Sequence, residues 1–144
     1  MPASTTAEPE FPMPFTRISL LAGHPPAYLE ALSDSLHAAL VESFEVPAAD
    51  RFQIFHQHQP GELVFDRDYG GGPRSAGFVL FHITTGRARS PAVKRAFYRH
   101  LVANLAASPG VRPEDVMVVL SASQLEDWSF ANGESAGAPE EEAA

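Results

Sequence analysis

The chain has 144 residues, a net charge of −8 and no cysteine. The missing cysteine excludes disulfide frameworks, thiol nucleophiles and zinc–cysteine sites. No run of about 18 apolar residues occurs, so no membrane-spanning helix is expected. The N-terminus lacks a basic segment followed by an apolar one, and a cytoplasmic protein is the default expectation. The acidity is unevenly placed. Glu8 and Glu10 stand at the head, Glu134, Glu140, Glu141 and Glu142 at the tail, and residues 14–132 sum to only −2. A nucleic-acid binder needs a basic footprint; neither a nucleic-acid nor a membrane partner is expected.

Residues 1–13 carry three prolines and no periodicity, and read as a disordered leader. Residues 134–144 read as a disordered acidic tail, leaving one packed domain over 14–133. Within it, Phe15–Leu21 predicts a strand. Leu29, Leu32, Leu36, Leu40 and Phe44 recur at helical spacing from Ala27 onward. Val46-Pro47 ends that helix, because a residue before proline avoids the helical region. Arg51–His58 alternates, with Phe52, Ile54, His56 and His58 on one face. Residues 59–75 form a loop with a possible hairpin arm at Glu62–Asp66 and a flexible Gly70–Pro73 tip that could stand near a site entrance. Phe78–Thr84 is a second strand. Ser90 and Pro91 suit the cap and first position of a second helix, carried by Val93, Phe97, Leu101 and Leu105. Pro109-Gly110 ends it, and Val116–Leu120 is a last strand.

The two halves match at a constant offset of 65. Nine identical pairs fall on it without a gap, among them Pro26/Pro91, Leu36/Leu101, Val46/Val111 and Asp50/Asp115. Helical periodicity explains the leucines but not the proline and aspartate pairs, so a duplicated β-α-β unit is inferred. Each unit pairs its strands in parallel by a right-handed crossover. Two units side by side give an α+β fold with a four-stranded mixed sheet and both helices on one face. The other, apolar face is then bare and implies a partner; a homo-oligomer is expected on it.

Four features carry possible chemistry. Met13-Pro14 heads the first strand, where proline is unusual because it lacks the ladder donor. It reads either as a strand-start proline or, if translation began at Met13 and that residue were removed, as a ring-held secondary amine. Arg87-Ala88-Arg89 follows the Phe78–Thr84 strand. Two guanidinium groups two residues apart in an extended loop suit a carboxylate, whereas Lys94, Arg95 and Arg99 read as a solvated helix face. Asp50 reads as a turn residue or as a group that tunes a nearby amine; its counterpart Asp115 reads as a turn residue. Trp128 and Phe130, two apart near the C-terminus, could wall a site or pack at a subunit contact. His56-x-His58 lacks a nearby carboxylate ligand; a structural role is expected for it and no metal site is assigned.

Together these residues resemble the tautomerase superfamily, and within it malonate semialdehyde decarboxylase-like proteins. The likeness rests on Pro14 after Met13; Val46-Pro47-x-x-Asp50-Arg51-Phe52-Gln53-Ile54; His56-x-His58; Arg87-x-Arg89-Ser90; Lys94-x-x-Phe97-Tyr98; and Asp127-Trp128-Ser129-Phe130-x-Asn132-Gly133-Glu134. It spans nearly all of 14–133. It implies a homotrimer, a C-terminal hairpin and a cofactor-free tautomerase, isomerase or 3-oxo acid decarboxylase (a lyase) acting on a small oxo- or unsaturated carboxylate. By position, Pro14 would be the catalytic amine, and Asp50 would assist it or activate water. Arg87 and Arg89 would bind and polarise the substrate, and Trp128 and Phe130 would form the hydrophobic wall. Hydration of activated alkynoates would be a side activity.

One departure bears on the chemistry. Twelve residues precede Met13. If they are retained, the Pro14 nitrogen is a tertiary amide without useful basicity. The alternative reading is then a non-catalytic trimer of the same fold that binds carboxylates or serves as a scaffold.

Overall fold

Two β-α-β units lie side by side in the computed structural model, which describes residues 14–137. The leader and the last part of the tail, residues 138–144, lie outside the described residues. In chain order the elements are β1 (Phe15–Leu21), α1 (Pro26–Phe44), β2 (Gln53–His58), β3 (Val79–Thr85), α2 (Pro91–Ala107) and β4 (Val116–Ala122). The sheet order is β2-β1-β3-β4. Each unit contributes one parallel pair, β1 with β2 and β3 with β4. The seam between units is antiparallel, with Phe15 opposite Thr84 and Ile18 opposite Phe81. The duplicated unit, the mixed sheet and the α+β class are therefore as the sequence predicts.

The helices begin where the repeated prolines place them, at Pro26 and Pro91. The Ser90 hydroxyl caps α2 by accepting from the Val93 amide at 3.2 Å. A hydroxyl there satisfies one of the orphan donors of the first turn. Helix α1 ends at Glu45, which takes a left-handed conformation (φ 58°) before Val46-Pro47 leads the chain away. Its stripe of Leu32, Leu36, Leu40 and Phe44 is buried, as are Phe97, Leu101 and Leu105 of α2. These side chains meet Ile18 and Leu20 of β1 and Val79, Phe81 and Ile83 of β3 in one core. The helices are also stitched to each other: Ser35 Oγ donates to the Ser108 carbonyl and Asn104 Nδ2 to the Ser35 carbonyl.

Both helices thus cover the face that carries Ile18 and Phe81. Because side chains alternate along a strand, Arg17, His82 and Val119 fall on the other face, which this chain leaves uncovered. Val119 is 41% exposed and Phe52 63%. The face is less apolar than the sequence suggests. Arg17 Nη1 lies 3.1 Å from His56 Nε2, and His82 Nε2 lies 3.2 Å from Ser121 Oγ. No helix of the described residues is long and apolar enough to cross a membrane.

Three local expectations are corrected. Glu62–Asp66 forms no strand: Glu62 Oε1 accepts from the Gln59 amide at 2.8 Å and closes a turn instead. The Gly70–Pro73 segment joins the C-terminal end of β2 to the start of β3, the sheet end opposite Pro14. The segment after β4 forms no strand in the described chain. Gln124 and Asp127 make a reciprocal capping box around a short turn, Leu125–Asp127, which occupies the backbone groups that a hairpin would pair.

Asp115 is more than a turn residue. It is 2% exposed and accepts from the Ser75 amide (2.7 Å) and the Ser75 hydroxyl (2.6 Å), fastening the long loop to the start of β4. Removing a buried charged acceptor strands its donors at about 1–3 kcal/mol. Asp115→Ala is expected to lower unfolding free energy by about 2 kcal/mol in chemical denaturation. Glu114→Ala, which removes only a half-exposed partner of Arg112, should change it by less than about 0.5 kcal/mol.

Candidate active site

The topology gathers the candidate residues at one end of the sheet. β1 and β2 begin at this end, while β3 and β4 finish there. Pro14 immediately precedes β1 and is buried. Continuing the antiparallel register from Phe15 opposite Thr84 places Pro14 beside Thr85. On its other flank, the Thr16 amide donates to the Phe52 carbonyl at 3.1 Å, so the turn before β2 that contains Asp50 lies alongside. The loop after β3 carries Arg87 and Arg89, and the segment after β4 carries Trp128 and Phe130. The lateral sequence across this end is Asp50, Pro14, the arginine loop and the aromatic pair.

A string of hydrogen bonds fixes the arginine loop and the aromatic segment together. Thr85 Oγ1 donates to the Arg87 carbonyl at 3.0 Å. Ser123 Oγ donates to the Thr85 carbonyl at 2.7 Å and itself accepts from Trp128 Nε1 at 2.8 Å. The Ala136 amide then donates to the Trp128 carbonyl at 2.9 Å. Trp128 and Phe130 stack with ring centroids 5.6 Å apart and an interplanar angle of 12°. They share a face as the two-residue spacing suggests, although in an irregular segment rather than a strand. Phe130 is 49% exposed.

The two arginines do different things in this chain. Arg87 projects into solvent. Arg89 turns inward: Nη2 donates to the Phe44 carbonyl at 3.1 Å, Nη1 donates to the Arg87 carbonyl at 2.8 Å, and the guanidinium lies 4.7 Å from the Phe44 ring centroid. The Phe44 carbonyl is one of the orphan acceptors at the end of α1. That last turn has no basic residue of its own, so Arg89 supplies the cation that a helix C-terminus favours. Burial lowers the Arg89 pKa most, the neighbouring Arg87 charge lowers it further, and Glu45 acts against both. An arginine so shifted still carries its charge at neutral pH.

Asp50 is half-buried in a turn in which its amide donates to the Pro47 carbonyl at 2.9 Å. Its carboxylate has no hydrogen bond among the described residues. The adjacent Arg51 pairs with Asp34 at 2.7 Å and secures the turn against α1. His56 and His58 lie away from this end, and no cluster of three or more possible metal ligands occurs among the described residues.

Beside Thr85 opens a small cleft lined by Phe44, Thr85, Ala88, Arg89, Lys94, Leu120 and Ala122. Most of its wall is apolar, and its charged groups are both cations. Lys94, read from sequence as part of a solvated face, belongs to this lining. A signal for it exists in the sequence. Four residues past a helix cap, a side chain tilts back toward the N-terminus of its helix, here toward the arginine loop.

A chain with this duplicated β-α-β architecture, a buried proline at the head of β1 and a cationic cleft at the same sheet end falls into a recognisable class. Two models described as tautomerase enzyme match it, one over residues 14–71 and the other over 50–131. The chain belongs to the tautomerase family. Among curated proteins it is similar to the probable tautomerase YusQ of Bacillus subtilis (strain 168), with 36% identity over 121 residues, 84% of this chain and 95% of the relative. Among solved structures it resembles malonate semialdehyde decarboxylase, at 39% identity and TM-score 0.76, covering 83% of this chain and 92% of that one. It also resembles a fused 4-OT symmetric trimer at 28% identity and TM-score 0.69, covering 85% and 95%.

Ser123 is the joint through which the sole tryptophan reaches β3. Ser123→Ala is expected to shift Trp128 fluorescence to longer wavelength as the indole loses its acceptor, with a stability loss of about 1 kcal/mol. An unchanged emission spectrum would show that Ser123 does not hold the indole in place.

Proposed function

We propose that the protein, once Pro14 is its N-terminal residue, is a cofactor-free tautomerase-superfamily enzyme acting on a small oxo- or unsaturated carboxylate. The observation that carries this reading is the convergence of Pro14, Asp50, Arg87, Arg89, Trp128 and Phe130 on one sheet end. The tautomerase match that begins at residue 14 supports it. So does the resemblance to a structure whose description names decarboxylase and hydratase activities.

The roles follow from chemistry. As a free secondary amine Pro14 is a general base or, when protonated, an acid held in one orientation by its ring. In tautomerisation the neutral nitrogen takes a proton from the carbon next to a carbonyl. The C–H electron pair becomes a C=C bond while the carbonyl π pair moves to oxygen as an enolate, and the proton returns to that oxygen or, in a conjugated unsaturated acid, to the far carbon of the alkene. Arg87 and the remaining N–H groups of Arg89 grip the carboxylate and favour the enolate charge. Asp50 tunes the amine through its own charge. Trp128 and Phe130 exclude water, which strengthens each of these contacts. In decarboxylation of a 3-oxo acid the charged amine instead donates to the β-carbonyl. The carboxylate C–C bond breaks, CO₂ leaves, and its electron pair is held as the enolate until carbon is protonated.

A specific feature favours a second reading for the 144-residue chain. With Met13 joined to Pro14 the nitrogen is an amide, and a tautomerase-fold scaffold or carboxylate binder remains. In both readings the protein assembles as a homotrimer on the sheet face that the helices leave uncovered, in keeping with the trimeric relative.

Protein beginning at Pro14 is expected to turn over members of a panel of 2-oxo, 3-oxo and phenylpyruvate-like acids, while the 144-residue chain is inert. In the shorter protein, Pro14→Ala should lower kcat/KM by at least about 100-fold, the usual contribution of a positioned acid–base group. Arg87→Ala should lower it about 10–100-fold, mainly through KM, as expected for a lost hydrogen bond to a charged group. Turnover by the 144-residue chain with Pro14 still acylated would refute the amine mechanism. The intact mass of protein from its native source decides which form exists there.

A further inference from the structure

The cleft beside Thr85 holds more positive charge than one carboxylate requires. Lys94 is the fourth residue of α2 and lines the cleft together with Arg89. Its ammonium has neither an ion pair nor a hydrogen bond among the described residues, whereas two cations elsewhere have acidic partners. Arg51 has Asp34, and Arg112 has Glu114 and Asp115. Arg89 is committed to two carbonyls. Arg87, two residues earlier in the same loop, is exposed and adds a further positive charge at this end.

The surrounding chain offers no compensation. Between Asp68 and Glu114 there are seven Lys and Arg residues and no Asp or Glu. The cleft lining contains no carboxylate; Glu45, beyond the end of α1, is the acid that Arg89 senses. Two cations, Arg89 and Lys94, therefore line a space whose other walls are largely apolar, and a third, Arg87, stands exposed in the adjoining loop. Unpaired charge against apolar walls is costly, and a monoanionic ligand would leave much of it unpaired.

The geometry points to Lys94 as a specificity-determining residue that receives a second anionic group, so that the cleft selects small dicarboxylates over monocarboxylates. This rests on the reading of the cleft as the substrate site but not on the state of the Pro14 nitrogen. The division of labour suits the side chains. Arginine presents a planar fork to one carboxylate, whereas the lysine ammonium is a compact charge on a flexible stem that follows ligands of different length.

The test is an NMR titration of the 144-residue chain and its variants with malonate and with acetate. Wild type is expected to bind malonate more tightly than acetate. Lys94→Met, which keeps the apolar stem, should weaken malonate binding about tenfold or more while changing acetate binding less than about twofold. Lys94→Arg should retain the preference, and Arg87→Ala should weaken both ligands. Thermal melts and the backbone spectrum report whether each variant is folded. An equal loss for both ligands in Lys94→Met, unchanged malonate binding, or a wild type without preference for malonate would overturn the proposal. If Arg87→Ala left both ligands unaffected, the cleft itself would be the wrong site. Inactive Pro14-initiated protein with an intact malonate preference would instead defeat only the amine mechanism.

Discussion

The antiparallel seam between β1 and β3 is the constraint on which the rest of this structure depends. Each β-α-β unit alone would direct the start of its first strand toward one end and the exit of that strand toward the other. Joining two units through antiparallel first strands puts the head of β1 against the tail of β3. That single pairing sets Pro14 beside Thr85, and with it beside the loop that carries both arginines. A shift of one residue in this register would turn the buried face of β1 toward the uncovered side. Thr16, Ile18 and Leu20 on one face and Phe81 and Ile83 opposite them hold the register against such a slip, because all five are essentially fully buried.

The seam positions the strand ends, but a second device shapes the loop. Arg89 is usefully seen as part of α1 as much as of the site. By donating to the Phe44 carbonyl it closes the end of one unit's helix with a side chain from the other unit. The same contact leaves Arg87 at the surface and fixes the backbone between them through the Arg87 carbonyl. Two arginines that look equivalent in the sequence therefore divide into one that positions and one that can reach outward. Their mutual repulsion is tolerated because one is bound into carbonyl dipoles and an aromatic face.

Much of this was legible before the fold was known, for physical reasons that can be named. The helices were readable because their apolar residues recur at 3.6-residue spacing and their starts carry proline and, at α2, a serine cap. The β-α-β duplication was readable because Pro26/Pro91 and Asp50/Asp115 fall outside what helical periodicity forces. What escaped was the use of side chains across elements. Nothing local distinguishes Asp115, which is buried and grips Ser75, from Asp50, which sits in a half-open turn. The capping box of Gln124 and Asp127 competes with strand formation, and a two-residue aromatic spacing cannot reveal which of them prevails. Loop composition carries no information about which sheet end a loop serves, so the Gly70–Pro73 segment reads from sequence as a site-entrance loop although it stands at the far end. Lys94 was hidden by its helix: a face that is solvated around Arg95 and Arg99 meets the cleft one residue earlier.

The overall acidity of the protein is consequently a poor guide to its working surface. Six of the eighteen acids stand at the two ends of the sequence, and the loop after β3 and the start of α2 form a cationic block without an internal counter-charge. Charges several ångströms apart at a protein surface are screened by salt over a Debye length of about 8–10 Å. Acids outside that distance cannot cancel the field within the cleft. Apolar walls made by Phe44, Leu120 and Ala122 reduce screening further within the cleft. Arg87 stands exposed at this end of the sheet, and Lys94 and Arg89 line the cleft beside it. The sheet register and the α1–Arg89 contact thus do more than shape a pocket: they concentrate positive charge in a chain whose net charge is negative.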